Sequence, residues 1–172
     1  MEKGILRLNT LPEEVRFIAL SLAGAALIAL GSWIRIPFYP VPFTLQTLSI
    51  FILGLALVPK QAFASGLAYL LCASVGLPVL DGSINCLWMT GKCGGYLLSF
   101  PIAAYTIAKL RQKFPPFFAL IVGEAIILLC GASWLIPFIG VKGAFMKGAL
   151  LFIPSALLKA AAALSLHKWR NR

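Results

Sequence analysis

Apolar residues run through this chain in long blocks, roughly 15–34, 41–58, 62–77, 93–110, 117–136 and 154–166, parted by short clusters of proline, glycine or charge. A helix needs about 20 apolar residues to cross a bilayer, so each block reads as one span. The pattern predicts an all-α membrane protein, a bundle of six transmembrane helices in one domain (1–172), preceded by a mixed-charge arm over 1–14. No period of 20–50 residues repeats, and the connections leave no room for a second, soluble domain.

The sharpest punctuation is Pro37-Phe38-Tyr39-Pro40-Val41-Pro42-Phe43-Thr44-Leu45-Gln46. Each proline lacks an N–H and restricts the residue before it, so no helix runs through it. The second helix is expected to begin near Val41 or Pro42, with Thr44 and Gln46 inside its first turns. Such a polar pair at the mouth of an apolar helix suggests a ligand. Pro59-Lys60-Gln61 turns that helix back, and Gly76-Leu77-Pro78 ends the third. Gly140 to Leu151 reads as a short amphipathic connection, and Pro154 suits the first position of the last helix.

Composition agrees: 60% of the 172 residues are hydrophobic, only 12% are charged, and mean hydropathy is +0.94. Soluble domains carry about 25% charged residues. The net charge of +10 does not point to nucleic acid, because the basic residues sit at block ends. The arm, Lys60, the Lys109–Lys113 cluster and the tail fall on one side of an even-numbered bundle. That side is expected to be cytoplasmic, with both termini inside a multi-pass protein of the cell membrane. Cys72 and Cys130 lie within apolar blocks and read as small core residues, whereas Cys86 and Cys93 share an outer loop and can form a disulfide.

Small residues at Ser21, Ala25, Ala29 and Ser32, broadened by Ala19 and Ala23, line one face of the first helix. In lipid such a face permits close approach by another helix, either a partner's or one of the chain's own. Gln46, Tyr96 and Lys159 lie at similar depth, one or two turns inside the second, fourth and sixth blocks, and can converge on one cavity. Lys159 costs about 2.5–3.5 kcal/mol to insert into hydrocarbon. It can meet a ligand carboxylate or carbonyl, snorkel to the headgroups, or pair with an acid. Glu124, near the middle of the fifth block, can pair with it, stay protonated or serve proton coupling. Gln46 suits an amide or urea, or an interhelical hydrogen bond. Asp81, Asn85, Trp88 and Lys92 can form a lid, with Trp88 alternatively an interfacial anchor.

Enzymatic chemistry is excluded as far as motifs go. The single histidine is His167, which removes His-based triads and His-ligated metals, and no G-x-x-x-x-G-K-[ST] loop is present. The chain is not read as an enzyme, and no cofactor is expected.

Val41-Pro42-Phe43-Thr44-Leu45-Gln46-Thr47-Leu48 resembles the V-P-x-T-x-Q-T-L signature of BioY, the biotin-binding S component of energy-coupling factor (ECF) transporters. Gly76-Leu77-Pro78-Val79 resembles that family's G-x-P-V-F segment, Gly91 to Leu98 its G-P-T-G-G-Y-L-L element, and Phe152 to Lys159 its P-F-x-P-G-D-x-x-K element. Four weak matches in order are specific together. The resemblance implies a six-helix bundle with an outward-opening biotin pocket, used with a transmembrane T component and two ATPase subunits. It places ligand contacts at Gln46, the loop with Asn85, Gly95, Tyr96 and Lys159, to which Thr44, Trp88 and Lys92 are added from their positions. It implies that Ala25 and Ala29 dock the T component. The chain departs from the pattern at Ala156, where the family has an acid, at Ser155, and at Lys92-Cys93.

The expected function is biotin uptake, with biotin as the transported ligand. The alternatives are an S component for another small vitamin (thiamine, riboflavin or lipoate) and a structural membrane subunit without ligand.

Overall fold

The computed structural model of the chain describes residues 12–80 and 86–170. Asp81 and Asn85 lie outside the described residues, as does the arm before Pro12. Helix α1, Glu13–Trp33, opens after Pro12 with Glu13 and Glu14 in its first turn, where negative charge complements the helix dipole. Past Ile34 the chain becomes extended. Strand β1, Arg35–Ile36, pairs antiparallel with β2, Phe43–Thr44, with Arg35 opposite Thr44 and Ile36 opposite Phe43.

Helix α2 is Gln46–Ala56, so it does not begin at Val41 or Pro42 as its apolar pattern suggests. The prolines make the approach a ribbon, and the Leu45 N–H donates back to the carbonyls of Gly31 at 3.1 Å and Ile34 at 3.2 Å. Those are the open acceptors at the end of α1. Thr44 therefore sits on a strand, and Gln46 is the first residue of α2.

Helix α3, Pro59–Ser74, starts with proline in its first turn. A short 3₁₀ turn, Trp88–Thr90, leads into α4, Gly94–Leu110. Helix α5, Pro116–Gly148, runs well beyond its apolar block and breaks at Gly140, whose φ is 73°. Most of the stretch expected to be a connection is thus helix that resumes after a glycine at positive φ, a region that residues with a Cβ rarely enter. Helix α6, Ile153–Arg170, also outruns its block and carries His167, Lys168 and Arg170 in its last turn. Cations are favourable there.

Helix α4 is the centre of the packing and touches α5, α3 and α2. Its Ile107 is fully buried between Gly54 of α2 and Gly123 of α5. A Cβ on Gly54 would come within 2.6 Å of Ile107 Cγ2, and one on Gly123 would overlap the same side chain. Small residues let helices approach in this way where water supplies no driving force. Two arginines finish α2: Arg111 donates to the Leu57 carbonyl at 3.1 Å and Arg170 to that of Leu55 at 3.3 Å.

Helix α1 packs on α3 and α2, and its stripe of Ser21, Ala25, Ala29 and Ser32 is buried. Ala25 and Ala29 therefore face the chain's own helices and are not displayed to a partner. The outward flank of α1 carries Ile18, Leu22, Ala23, Ala26 and Leu30. Large apolar side chains are likewise exposed on α3, α4, α5 and α6, among them Leu71, Ile102, Phe117, Leu129 and Leu158. Such a coat suits a hydrocarbon solvent. Helix α1 and the run Pro116–Arg170 are long and apolar enough to cross a membrane, and Gln46–Ala56 is a shorter apolar helix. Cys130 is exposed on α5 and Cys72 only partly buried, so neither is the core residue its block suggests, while Cys86 and Cys93 remain thiols without a bond between them.

Candidate functional site

A cavity of about 240 Å³ lies where α2, α4 and α6 begin. Thr44, Gln46 and Thr47 reach it from the ribbon and the first turn of α2. Trp88, Lys92 and Tyr96 come from the loop before α4 and from its first turn, Glu124 from α5 and Lys159 from α6. Between the polar groups are apolar walls, including Val41, Leu80, Phe100, Ile127 and Phe152. Apolar walls with a few convergent polar groups are the usual makeup of a small-molecule site.

Gln46, buried at 7% exposure, is held by a relay of hydroxyls. The Thr44 hydroxyl donates to Gln46 Oε1 at 3.1 Å, Gln46 Nε2 donates to the Tyr69 hydroxyl at 2.7 Å, and Tyr69 donates to the Val79 carbonyl at 3.3 Å. Among the described residues these are its partners, which leaves one N–H and one lone pair of the amide open to others. Lys159 Nζ donates to Thr47 Oγ1 at 2.8 Å. Glu124 is buried at 8% exposure, and its Oε2 has no hydrogen-bond partner among the described residues.

Tyr96 donates its hydroxyl to the Gly148 carbonyl at 2.6 Å, which leaves the ring as its contribution to the wall. Gly131 makes room for that ring, since a Cβ there would overlap it. Phe152 stands beside Tyr96, with centroids 6.2 Å apart, and stacks toward Phe43 at 4.4 Å. Trp88 is 3% exposed and donates from Nε1 to the Ser74 hydroxyl at 3.2 Å. It is a buried wall pinned to α3, not an interfacial anchor. Lys92 lies 4.4 Å above the Tyr39 ring and 3.4 Å from its hydroxyl.

Gly95 does not line the cavity. It faces α5, where a Cβ would meet Trp134 and approach the Cys130 carbonyl at 2.8 Å, so the pair Gly94-Gly95 seats α4 against α5. The neighbouring loop is fastened by Trp134, whose Nε1 donates to the Gly91 carbonyl at 3.1 Å. Sequence reasoning left Thr47, Tyr69 and Phe152 out of the site. Thr47 adjoins Gln46 and Phe152 precedes Pro154, but Tyr69 stands alone in an apolar block and only the fold brings it to Gln46. Glu124, which the sequence allows as a partner for Lys159, a neutral acid or a proton relay, is part of the cavity wall.

These elements define an all-helical membrane protein with a small-molecule cavity at the ends of its helices. The chain belongs to the BioY family, whose model matches residues 5–172. It is 38% identical over 152 residues to a "Probable biotin transporter BioY" of Pyrococcus horikoshii, covering 88% of this chain and 91% of the relative. It is 35% identical over 133 residues to "Biotin transporter BioY2" of Lactococcus lactis, covering 74% and 71%. Among solved structures it is similar to the crystal structure of the S-component for biotin from an ECF-type ABC transporter. That match has a TM-score of 0.78 at 28% identity and covers 93% of each chain.

Proposed function

We propose that this chain is the biotin-binding subunit of an uptake system. It takes biotin from outside the cell and delivers it inward with an energising module, a transmembrane T component and ATPase subunits of the ATP-binding cassette type. The observation that carries the reading is the cavity itself. An ammonium, a carboxylate and a carboxamide, Lys159, Glu124 and Gln46, converge among apolar and aromatic walls. Biotin has a carboxylate, a urea and an apolar ring to match them. Family membership supports the same ligand.

In this reading the helices form a six-span bundle in the cell membrane with both termini in the cytoplasm, and the cavity opens outward. Lys60, Lys109, Arg111, Lys113, Lys168 and Arg170 then face the cytoplasm, where basic residues gather. The exposed flank of α1, with Ala23 and Ala26, is the face offered to the T component. The chain needs no chemistry of its own.

The test is equilibrium binding of radiolabelled biotin to the purified protein, with thiamine, riboflavin and lipoate as competitors. Saturable binding below micromolar that only biotin displaces is expected, whereas its absence removes the reading. Uptake into cells with and without the ATPase subunits then tests the partnership.

A further inference from the structure

Glu124 carries the one carboxylate on the cavity wall among the described residues. Its Oε2 is buried without a partner, although buried polar atoms in native proteins are nearly always satisfied. Around the same cavity Lys159 gives one N–H to Thr47, Tyr96 its O–H to the Gly148 carbonyl and Gln46 one N–H to Tyr69, and none of these bonds reaches Glu124 Oε2. Ala156, one turn before Lys159 on α6, is buried and supplies no polar atom. An acceptor of this kind, desolvated on a cavity wall, is matched by a donor that arrives with the ligand.

We infer that Glu124 is a ligand-contacting residue that accepts a hydrogen bond from an N–H of the bound molecule. Together with Lys159 it makes a donor–acceptor pair complementary to a urea: the ammonium gives to the carbonyl oxygen and the carboxylate takes from the adjacent N–H. Charge assistance makes both bonds stronger than neutral ones. The inference rests on the biotin reading, since biotin's ureido ring offers a carbonyl flanked by two N–H groups. It goes further by assigning the specificity for that ring to a residue of α5. A carboxylate that merely balanced Lys159 would be indifferent to the ligand's N–H.

The test compares biotin with analogues methylated on one or the other ureido nitrogen, against wild-type protein and Glu124→Met. Methionine removes the acceptor at similar side-chain length, and thermal unfolding in detergent checks that the variant is folded before its affinity is read. Affinity for biotin is expected to fall about tenfold or more in the variant. For the analogue methylated on the nitrogen that meets Glu124, wild type and variant should agree within about threefold. Equal affinity for biotin in both proteins overturns the inference, and so does the same loss for every analogue, which marks an effect acting through Lys159. Glu124→Asp keeps the charge but withdraws the acceptor by one methylene, and should repeat the pattern of the methionine variant. Wild-type protein that fails to bind biotin sinks the biotin reading instead, a result recognisable before any variant is made.

Discussion

Gln46 and Tyr69 meet across 2.7 Å, the first residue of α2 donating its carboxamide N–H to a hydroxyl in the middle of α3. Tyr69 is fully buried and donates its own O–H to the Val79 carbonyl. The hydroxyl therefore fixes which way the Gln46 amide points into the cavity. Tyr69→Phe keeps the ring and removes only that group. A buried hydrogen bond is worth about 0.5–1.5 kcal/mol, so thermal unfolding in detergent should shift down modestly. Biotin affinity should fall by about 2–10-fold as the amide loses its anchor. Unchanged affinity with lowered stability would assign Tyr69 to the scaffold alone.

Lys159 and Thr47 give a second test of how the site is held. Their 2.8 Å bond joins α6 to α2 beside the cavity and keeps an ammonium at a defined point. Lys159→Met should abolish measurable biotin binding while the protein still elutes as a single species. Thr47→Ala should weaken binding by about tenfold or less, since it frees the lysine without removing it. If Lys159→Met bound biotin as the wild type does, the ammonium would have no part in the site.

Much of this fold could be read from its punctuation. Helix α4 begins at the Gly-Gly pair and ends at the basic cluster, and both signals are local in sequence. The β-ribbon could not be read, because Phe43 and Thr44 belong to an apolar run that continues straight into α2. What makes them a strand is the pairing with Arg35 and Ile36, a contact that helical periodicity does not encode. The extension of α5 escaped for the opposite reason, since Gly140 looks like a terminator but its positive φ only breaks the helix and lets it resume.

At the site, the residues with an intrinsic cost in lipid were the ones that stood out. Lys159, Gln46 and Glu124 are legible in the sequence because a polar group in an apolar block needs a reason. Gly95 drew notice for its motif, yet its space is filled by Trp134 and not by the cavity. Ala25 and Ala29 form a clear small-residue stripe, but a stripe does not say which helix covers it. Here α2 and α3 do.

Gly95 then makes a prediction of its own. Gly95→Ala puts a methyl group against Trp134, and overpacking of this kind costs about 1–3 kcal/mol. The variant should melt at a lower temperature, and biotin affinity measured well below that temperature should stay within about twofold, because no lining side chain has changed. A large loss of affinity at unchanged stability would instead return Gly95 to the ligand site.

The two faces of α1 separate partner docking from folding. Ala25 is buried at 6% exposure, whereas Ala23, two residues earlier, is exposed on the flank assigned above to the T component. A bulky residue at each position should therefore fail differently. Ala25→Phe forces a ring between α1 and its neighbours, and its expected cost is at least the 1–3 kcal/mol of overpacking, seen as poor yield and a lowered unfolding temperature. Ala23→Phe meets no part of the chain's own core. It should leave stability and biotin binding by the isolated protein as they are, while copurification with the T component and ATP-dependent uptake both fall. If Ala23→Phe supports normal uptake, the partner docks on another face. If it unfolds the protein, that flank is not the open surface the structure describes.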